Sequence, residues 1–300
     1  MPNRTANHRP IGAAKVSVPP EDATPQVRTL HDCVLALLDG AIETVRAGHG
    51  DEAVHAVRKS CKTVRAALRL LRERFGTLEY RRQNRRVRDA AKPLTAVRDA
   101  LVLRELLARL PAPPPLVGRR LDSEYRRQRQ ILERRGFRTA LGKLIATRES
   151  LVQLSLDGPE GMSALAGALR EYRAGRKALN RARSRDDQAL HEWRKQAKYL
   201  LNQLDLLGLV FNTQFKKLRR RANRLTKALG DDHDLSMLMS ELGRPAASDG
   251  GAIKHLKRRR RKLQRRAFRT GKRLFGRPPK HIKAMMAAPL AKPNRQTCMQ

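Results

Sequence analysis

Apolar residues recur at helical spacing along most of this chain, and strict alternation of apolar and polar positions is rare. One segment places Val57, Cys61, Val64, Leu68 and Leu71 three or four residues apart, which puts them on one face of a helix. β-Branched residues seldom cluster, as they would in strands. The pattern predicts an all-α protein.

Breaks in the pattern divide the chain into two similar halves. Gly48 to Gly50 ends the first predicted helix, Gly76 ends the second, and Pro93 is expected to kink the third. Four helices are predicted over 24–47, 52–75, 78–110 and 116–135. After a predicted linker at 137–161, in which the sequence allows one short helix, four more are predicted over 163–182, 187–207, 212–242 and 252–275. The order suggests an internal duplication.

Both halves carry a cationic row on their second predicted helix. His55, Arg58 and Lys62 stand at i, i+3 and i+7, and the same offsets return in His191, Arg194 and Lys198. Like charges one turn apart cost roughly a few tenths of a kcal/mol per pair. A row built twice in the same register therefore predicts an anion site rather than a solvated surface.

Further basic positions extend these rows and are candidate anion-binding residues. They share helical spacing with one another or stand next to a row. On the second predicted helix of each half they are Arg65, Arg69 and Lys195. On the third and fourth helices they are Arg81, Arg85, Arg88, Lys92, Lys216, Arg220, Arg224, Lys227, Arg258, Lys262 and Arg265.

Two acidic residues occupy matching places among these cations. Asp99 stands seven residues after Lys92, and Asp234 stands seven residues after Lys227, so each shares a helix face with a lysine. The sequence supports two roles equally. Each aspartate either holds a basic side chain in position through a charge-assisted hydrogen bond or forms an ordinary surface ion pair.

The composition favours a polyanionic partner. There are 66 Lys and Arg against 28 Asp and Glu, and the formal net charge is +38. Such a charge repels itself in a compact state unless a polyanion or counter-ions offset it. Aromatic residues make up 4% of the chain, which disfavours proteins that read single-stranded nucleic acid by base stacking.

Several other classes of function are not favoured. The three cysteines form no CxxC pair, which predicts a reduced, cytoplasmic compartment. The chain has no apolar run long enough for a bilayer, so no membrane insertion is expected. Residues 1–23 are predicted to be a disordered basic tail, and residues 277–300 a flexible tail.

Catalysis and metal binding are not predicted either. His55 and His191 have no metal-ligating residue three or four positions further along, where cations stand instead. There is no phosphate-binding Walker motif. The acidic group of Asp231, Asp232 and Asp234 has no counterpart in the first half. We therefore predict a non-enzymatic protein that needs no cofactor and no metal.

Together these motifs resemble the CHAD family, the conserved histidine α-helical domain, in its stand-alone form without a triphosphate-hydrolase domain. The resemblance covers 24–276, with a first half at 24–136 and a second half at 162–276. It rests on His55-x-x-Arg58-x-x-x-Lys62-x-x-Arg65, His191-x-x-Arg194-x-x-x-Lys198, Arg98-Asp99 and Leu229-Gly230-Asp231-Asp232-His233-Asp234.

The resemblance implies two pseudo-symmetric four-helix bundles with a basic groove or pore between them. It also implies binding of inorganic polyphosphate and association with polyphosphate granules. Leu201 replaces Arg65 and Asp205 replaces Arg69 in the second half, so the two sides of the site are expected to be unequal.

One alternative partner remains at this point. The net charge and the basic run from Lys257 to Lys262 also fit a histone-like or ribosome-associated protein that binds nucleic acid without sequence specificity. The sequence gives no prediction of an oligomeric state.

Overall fold

The computed structural model describes residues 29–48, 50–154, 156, 159–212, 215–243 and 250–291, and within these ranges all regular secondary structure is helical. The all-α prediction is confirmed. The first five helices are α1 (Leu30–Ala47), α2 (Asp51–Leu70), α3 (Arg72–Ala108), α4 (Pro115–Ile131) and α5 (Phe137–Val152). The remaining five are α6 (Gly161–Arg181), α7 (Asp187–Val210), α8 (Lys216–Leu242), α9 (Gly250–Phe275) and α10 (Pro279–Ala291).

Local sequence signals explain several helix boundaries. The Thr29 hydroxyl accepts from the Asp32 backbone N–H, and the Asp32 carboxylate accepts from the Thr29 N–H, both at 3.0 Å, which caps the first turn of α1. Near the start of α3, Gly76 has a φ of 74°, a left-handed conformation that costs glycine little. The backbone dihedral angles remain helical at Pro93, and Gly76 is the residue of α3 whose angles are not helical.

The helices pack in the same order in both halves. Neighbours in sequence pack together from α1 to α4 and from α6 to α9, and the fifth helix returns to the first, α5 onto α1 and α10 onto α6. The halves meet where α2 packs against α7 and α3 against α8. The two helices that carry the cationic rows are therefore direct neighbours.

The segment 137–161, predicted as a linker with at most a short helix, contains the core helix α5. Phe137, Ala140, Leu144 and Leu151 are buried and share one face of that helix. A π-helical turn at Leu132–Gly136 connects α4 to α5 without a loop. The apolar period thus continues through the segment that was predicted to be a linker.

The flexible tail predicted for 277–300 also differs from the structure. Residues 279–291 form α10, and its side chains Ile282, Met286 and Leu290 are buried at i, i+4 and i+8. This apolar stripe stabilises a helix against α6. The tail predicted at 1–23 lies outside the described residues, as do residues 292–300. None of the described helices combines the length and apolarity that a bilayer crossing requires.

Candidate anion-binding cleft

Packing of α2 on α7 brings the two cationic rows together. The positive charges of Arg58, Arg194 and Lys198 all act on the Lys62 ammonium, which places these four side chains within mutual electrostatic range. A cleft of about 580 Å³ opens beside α2 and α3. Its basic and polar lining consists of Arg58, Lys62, Arg65, Arg88, Asp89, Lys92, Thr95 and Asp99.

Lys62 is the most perturbed cation at this junction. Loss of bulk water and then repulsion by Arg58 and Arg194 lower the pKa of its ammonium from 10.5 to about 7. The side chain remains accessible to solvent, so the loss of hydration comes from the surrounding walls of the cleft. In the free protein a large fraction of Lys62 is neutral at physiological pH.

Arg58 is held in a fixed position by α3. Its Nε donates to the Thr95 hydroxyl at 3.3 Å, and its Nη2 lies 3.6 Å from the Asp99 carboxylate. The Arg58 side chain is 12% exposed, and burial lowers its pKa in spite of Asp99. Asp99 therefore forms an ion pair with a basic side chain of the site, at a distance longer than a hydrogen bond.

Histidines from three helices border the same cations. The rings of His191 and His233 lie 4.7 Å apart at 48°. Burial and then the neighbouring cationic side chains lower the pKa of His55, His191 and His233, with Arg194 acting on the last two. These imidazoles are neutral at pH 7 and retain one N–H donor each.

Asp234 occupies the place in the second half that Asp99 has in the first. Burial raises the pKa of Asp234, while Arg194 and Arg98 act in the opposite direction. The carboxylate is thus within electrostatic range of an arginine of its own half and of one from the other half. We call the following ten residues the central cluster: His55, Arg58, Lys62, Arg98, Asp99, His191, Arg194, Lys198, His233 and Asp234.

Two members of the central cluster were not among the predicted binding residues. Arg98 acts electrostatically on both His55 and Asp234, and His233 stacks against His191. Each residue directly precedes one of the paired aspartates, at corresponding places in the two halves. That correspondence was the sequence signal that could have identified Arg98 and His233 as site residues. Which side chains point into the site depends on how α3 crosses α8, and the sequence does not show this.

Arg69 was predicted to bind anions but is engaged elsewhere. Its Nη1 donates to Glu171 at 3.0 Å, and its guanidinium lies 3.9 Å from the centre of the Tyr199 ring. These contacts connect α2 with α6 and α7. Arg65 is closer to the site: it lines the cleft while its Nε donates to Asn84 at 2.9 Å.

Leu201 and Asp205, which stand where the first half has Arg65 and Arg69, have different consequences. Leu201 is buried in the core. Asp205 accepts a hydrogen bond from Arg219. Of the charges acting on Lys198, that of Asp205 has the largest effect, and it favours the protonated ammonium. The Lys198 ammonium therefore already has a partial counter-charge, whereas the Lys62 ammonium is surrounded mainly by cations.

Of the other predicted residues, Arg88 and Lys92 line the cleft and are exposed, and the rest lie on exposed surface around or away from it. Lys195 pairs with Glu192 at 2.6 Å, and Arg88 pairs with Asp89 at 2.9 Å. The exposed members of α3 and α8 are Arg81, Arg85, Arg88, Lys92, Lys216, Arg220, Arg224 and Lys227. The α9 residues Arg258, Lys262 and Arg265 are exposed too, and no described contact connects them with the central cluster.

Metal-ligating side chains and one thiol are the reactive groups to consider at the cleft. Among the described residues, no group of three His, Cys, Asp or Glu side chains could hold a metal ion. Cys61 lines the cleft, but burial raises the pKa of its thiol to about 12. Such a thiol is protonated at neutral pH and is a poor nucleophile.

Comparison with known proteins gives a family match and a structural match. Residues 28–243 match the CHAD domain family. The structure is similar to the crystal structure of the CHAD domain from the plant Ricinus communis, with a TM-score of 0.55 and 19% sequence identity over 89% of this chain and 93% of that one. At this identity the similarity concerns the fold. No match was found among curated proteins.

Proposed function

Because the chain belongs to the CHAD domain family, we propose that it binds inorganic polyphosphate at the central cluster between α2 and α7. The observation that carries this proposal is the convergence of Arg58 and Lys62 with Arg194 and Lys198 across the two halves. Burial, and then repulsion by Arg58, Arg194 and Lys198, lowers the pKa of Lys62 to about 7. An anion placed between the rows would relieve that repulsion.

The chemistry of the cluster suits a chain of phosphates. Arginine forks grip phosphate oxygens bidentately, and the neutral histidines supply further N–H donors. Polyphosphate has no bases, and the cluster residues include no Phe, Tyr or Trp ring on which a base would stack. Binding would release condensed counter-ions, as nucleic-acid binding does, so affinity is expected to fall steeply with salt.

We propose that the cluster binds without catalysing a reaction. Asp99 and Asp234 are both close to arginines, which repel the divalent cation that metal-dependent phosphoryl transfer requires. In a cell that stores polyphosphate, a protein of this kind would associate with polyphosphate granules.

The test is titration of the full chain with polyphosphate by calorimetry. The double variant Arg58→Ala, Lys62→Ala is expected to bind at least about tenfold more weakly, because each charge-assisted contact is worth roughly 1.5–3 kcal/mol. Arg134→Ala with Arg138→Ala, two exposed arginines on the turn into α5, is the matched control and should change affinity less than about twofold. Equal losses in the two variants would refute a localised site.

A further inference from the structure

A second cationic surface lies on α9, separate from the central cluster. The α9 outer face consists of Lys254, Arg258, Lys262, Arg265, Arg269 and Lys272, at spacings of 4, 4, 3, 4 and 3 residues. All six are exposed. From first to last they extend roughly 27 Å along the helix axis.

The α9 outer face is not neutralised within the molecule. Of the cations on α9, Arg260 forms the described ion pairs, with Asp187 and Asp232 on the inner side. Asp231 lies near Arg259 and Arg266, on the flank facing α8. No described carboxylate lies within ion-pair distance of the six outer residues, so their charges remain available to a partner.

The inner side of α9 packs against the rest of the protein. Ala267 and Leu274 are buried, and the Phe268 ring stacks against Trp193 at 5.2 Å. A Cβ at Gly271 would lie 2.2 Å from the Trp193 ring, so glycine at this position leaves room for the indole of α7. The outer face is therefore a row of cations on a helix whose opposite side packs against the protein.

We propose that the α9 outer face binds the phosphate backbone of duplex nucleic acid. Its cations are exposed on the outside of a helix and do not line a cleft, so a wide polyanion can reach them. A row of about 27 Å corresponds to roughly eight base pairs at 3.4 Å each. Duplex DNA has a persistence length of about 50 nm, so its axis is straight over that distance and the row can lie along it, next to phosphates of both strands.

The residue composition of the α9 outer face favours double-stranded over single-stranded nucleic acid. Its six residues include no aromatic ring, and the two phenylalanines of α9 turn inward, Phe275 buried and Phe268 against Trp193. Single-stranded nucleic acid is usually held by stacking on such rings. A backbone-only contact of this kind carries no sequence specificity.

This proposal reassigns three residues that the sequence placed with the polyphosphate site, namely Arg258, Lys262 and Arg265. It does not depend on the proposed function, because the two surfaces are altered by different substitutions.

The test measures binding of a mixed-sequence 20-base-pair DNA to the full chain by fluorescence anisotropy at several salt concentrations. The α9 variant combines Arg258→Ala, Lys262→Ala, Arg265→Ala and Arg269→Ala. Because all four side chains are exposed and alanine favours helix, the fold should be retained, which circular dichroism verifies. We expect at least about tenfold weaker DNA binding and a salt slope smaller by about 3 to 4. Polyphosphate affinity should change less than about threefold.

The matched control removes the same charge from the other half. It combines Arg119→Ala, Arg126→Ala, Arg134→Ala and Arg138→Ala, which are exposed on α4, on the π-helical turn and on α5. DNA affinity should change less than about threefold. An equal loss in the control, or unchanged DNA binding in the α9 variant, would overturn the proposal. So would a loss of polyphosphate binding in the α9 variant as large as its loss of DNA binding.

Discussion

At the scale of single residues, Lys62 opposes stability in the free protein and is expected to favour binding. Its pKa in the folded chain is about 7, below the 10.5 of an unperturbed lysine. Between these values the unfolded chain binds more protons than the folded one, so this residue makes stability rise with pH from about 7 to 10.5.

The variant Lys62→Met separates these two effects. Methionine keeps an unbranched stem of similar size and removes the charge. We expect the free variant to unfold a few degrees higher than the wild type at pH 7, and the difference to shrink toward pH 10. Polyphosphate affinity should fall at the same time. Differential scanning fluorimetry across pH measures the first effect and calorimetry the second; a lower unfolding temperature at pH 7 would contradict the prediction.

The histidines predict how binding responds to pH. His55, His191 and His233 have lowered pKa values in the free protein, and an anion favours their protonated forms. Binding should therefore take up protons, and affinity for polyphosphate should rise as the pH falls from 8 to 6. Calorimetry in two buffers of different ionisation enthalpy counts the protons. A His191→Gln, His233→Gln variant should take up fewer, and an unchanged count would exclude these histidines.

At the scale of helices, close approach of α6 to α2 fixes how the halves meet. A Cβ at Gly167 would lie 2.7 Å from the Leu70 Cα and 2.9 Å from the Arg69 carbonyl oxygen. Both are backbone atoms that cannot move without shifting α2. Since α2 carries Arg58 and Lys62, the position of the site depends on this contact.

The variant Gly167→Ala should therefore lower the unfolding free energy by about 1–3 kcal/mol. The matched control is Gly40→Ala on α1, where an added Cβ meets nothing within 4 Å. There alanine should be neutral or stabilise by up to roughly 1 kcal/mol, because it favours the helix more than glycine does. Denaturant unfolding compares the two; similar values for both would show that α6 and α2 adjust easily.

The two cationic helices should contribute unequally to binding. Arg58→Ala with Lys62→Ala is expected to weaken polyphosphate binding more than Arg194→Ala with Lys198→Ala. Asp205 already offsets part of the charge of Lys198, whereas α2 adds Arg65 at the cleft. The difference in affinity should be smaller than the sequence suggests, because Arg69 of the first half forms an ion pair with Glu171. Titrations at two salt concentrations measure the difference; a larger loss from the second pair would reverse the assignment.

At the scale of the whole molecule, the net charge of +38 makes stability dependent on anions. Screening by salt weakens repulsion between exposed cations, and a ligand that binds the native state stabilises it in proportion to RT ln(1 + [L]/Kd). Polyphosphate should raise the unfolding temperature strongly at low salt and less at high salt. In the Arg58→Ala, Lys62→Ala variant the increase should be smaller at equal polyphosphate concentration. An equal increase would place the stabilising anion elsewhere on the surface.

The sequence by itself determined the all-α class and the family. Helical periodicity is a local property, so the core positions of α2 could be recognised from spacing alone. The rows from His55 to Lys62 and from His191 to Lys198 were visible for the same reason, since residues one turn apart are neighbours within one helix.

Only the tertiary structure decided which cations face one another. Arg65 and Arg69 belong to the same row in the sequence. Because α6 and α7 pack beside α2, Arg69 binds Glu171, whereas Arg65 lines the cleft. Arg98 and His233 join the cluster because α3 crosses α8. The helices α5 and α10 became core elements because α1 and α6 each offered an apolar face to cover. Such choices depend on contacts between residues far apart in sequence, and helical spacing carries no information about the partner across an interface.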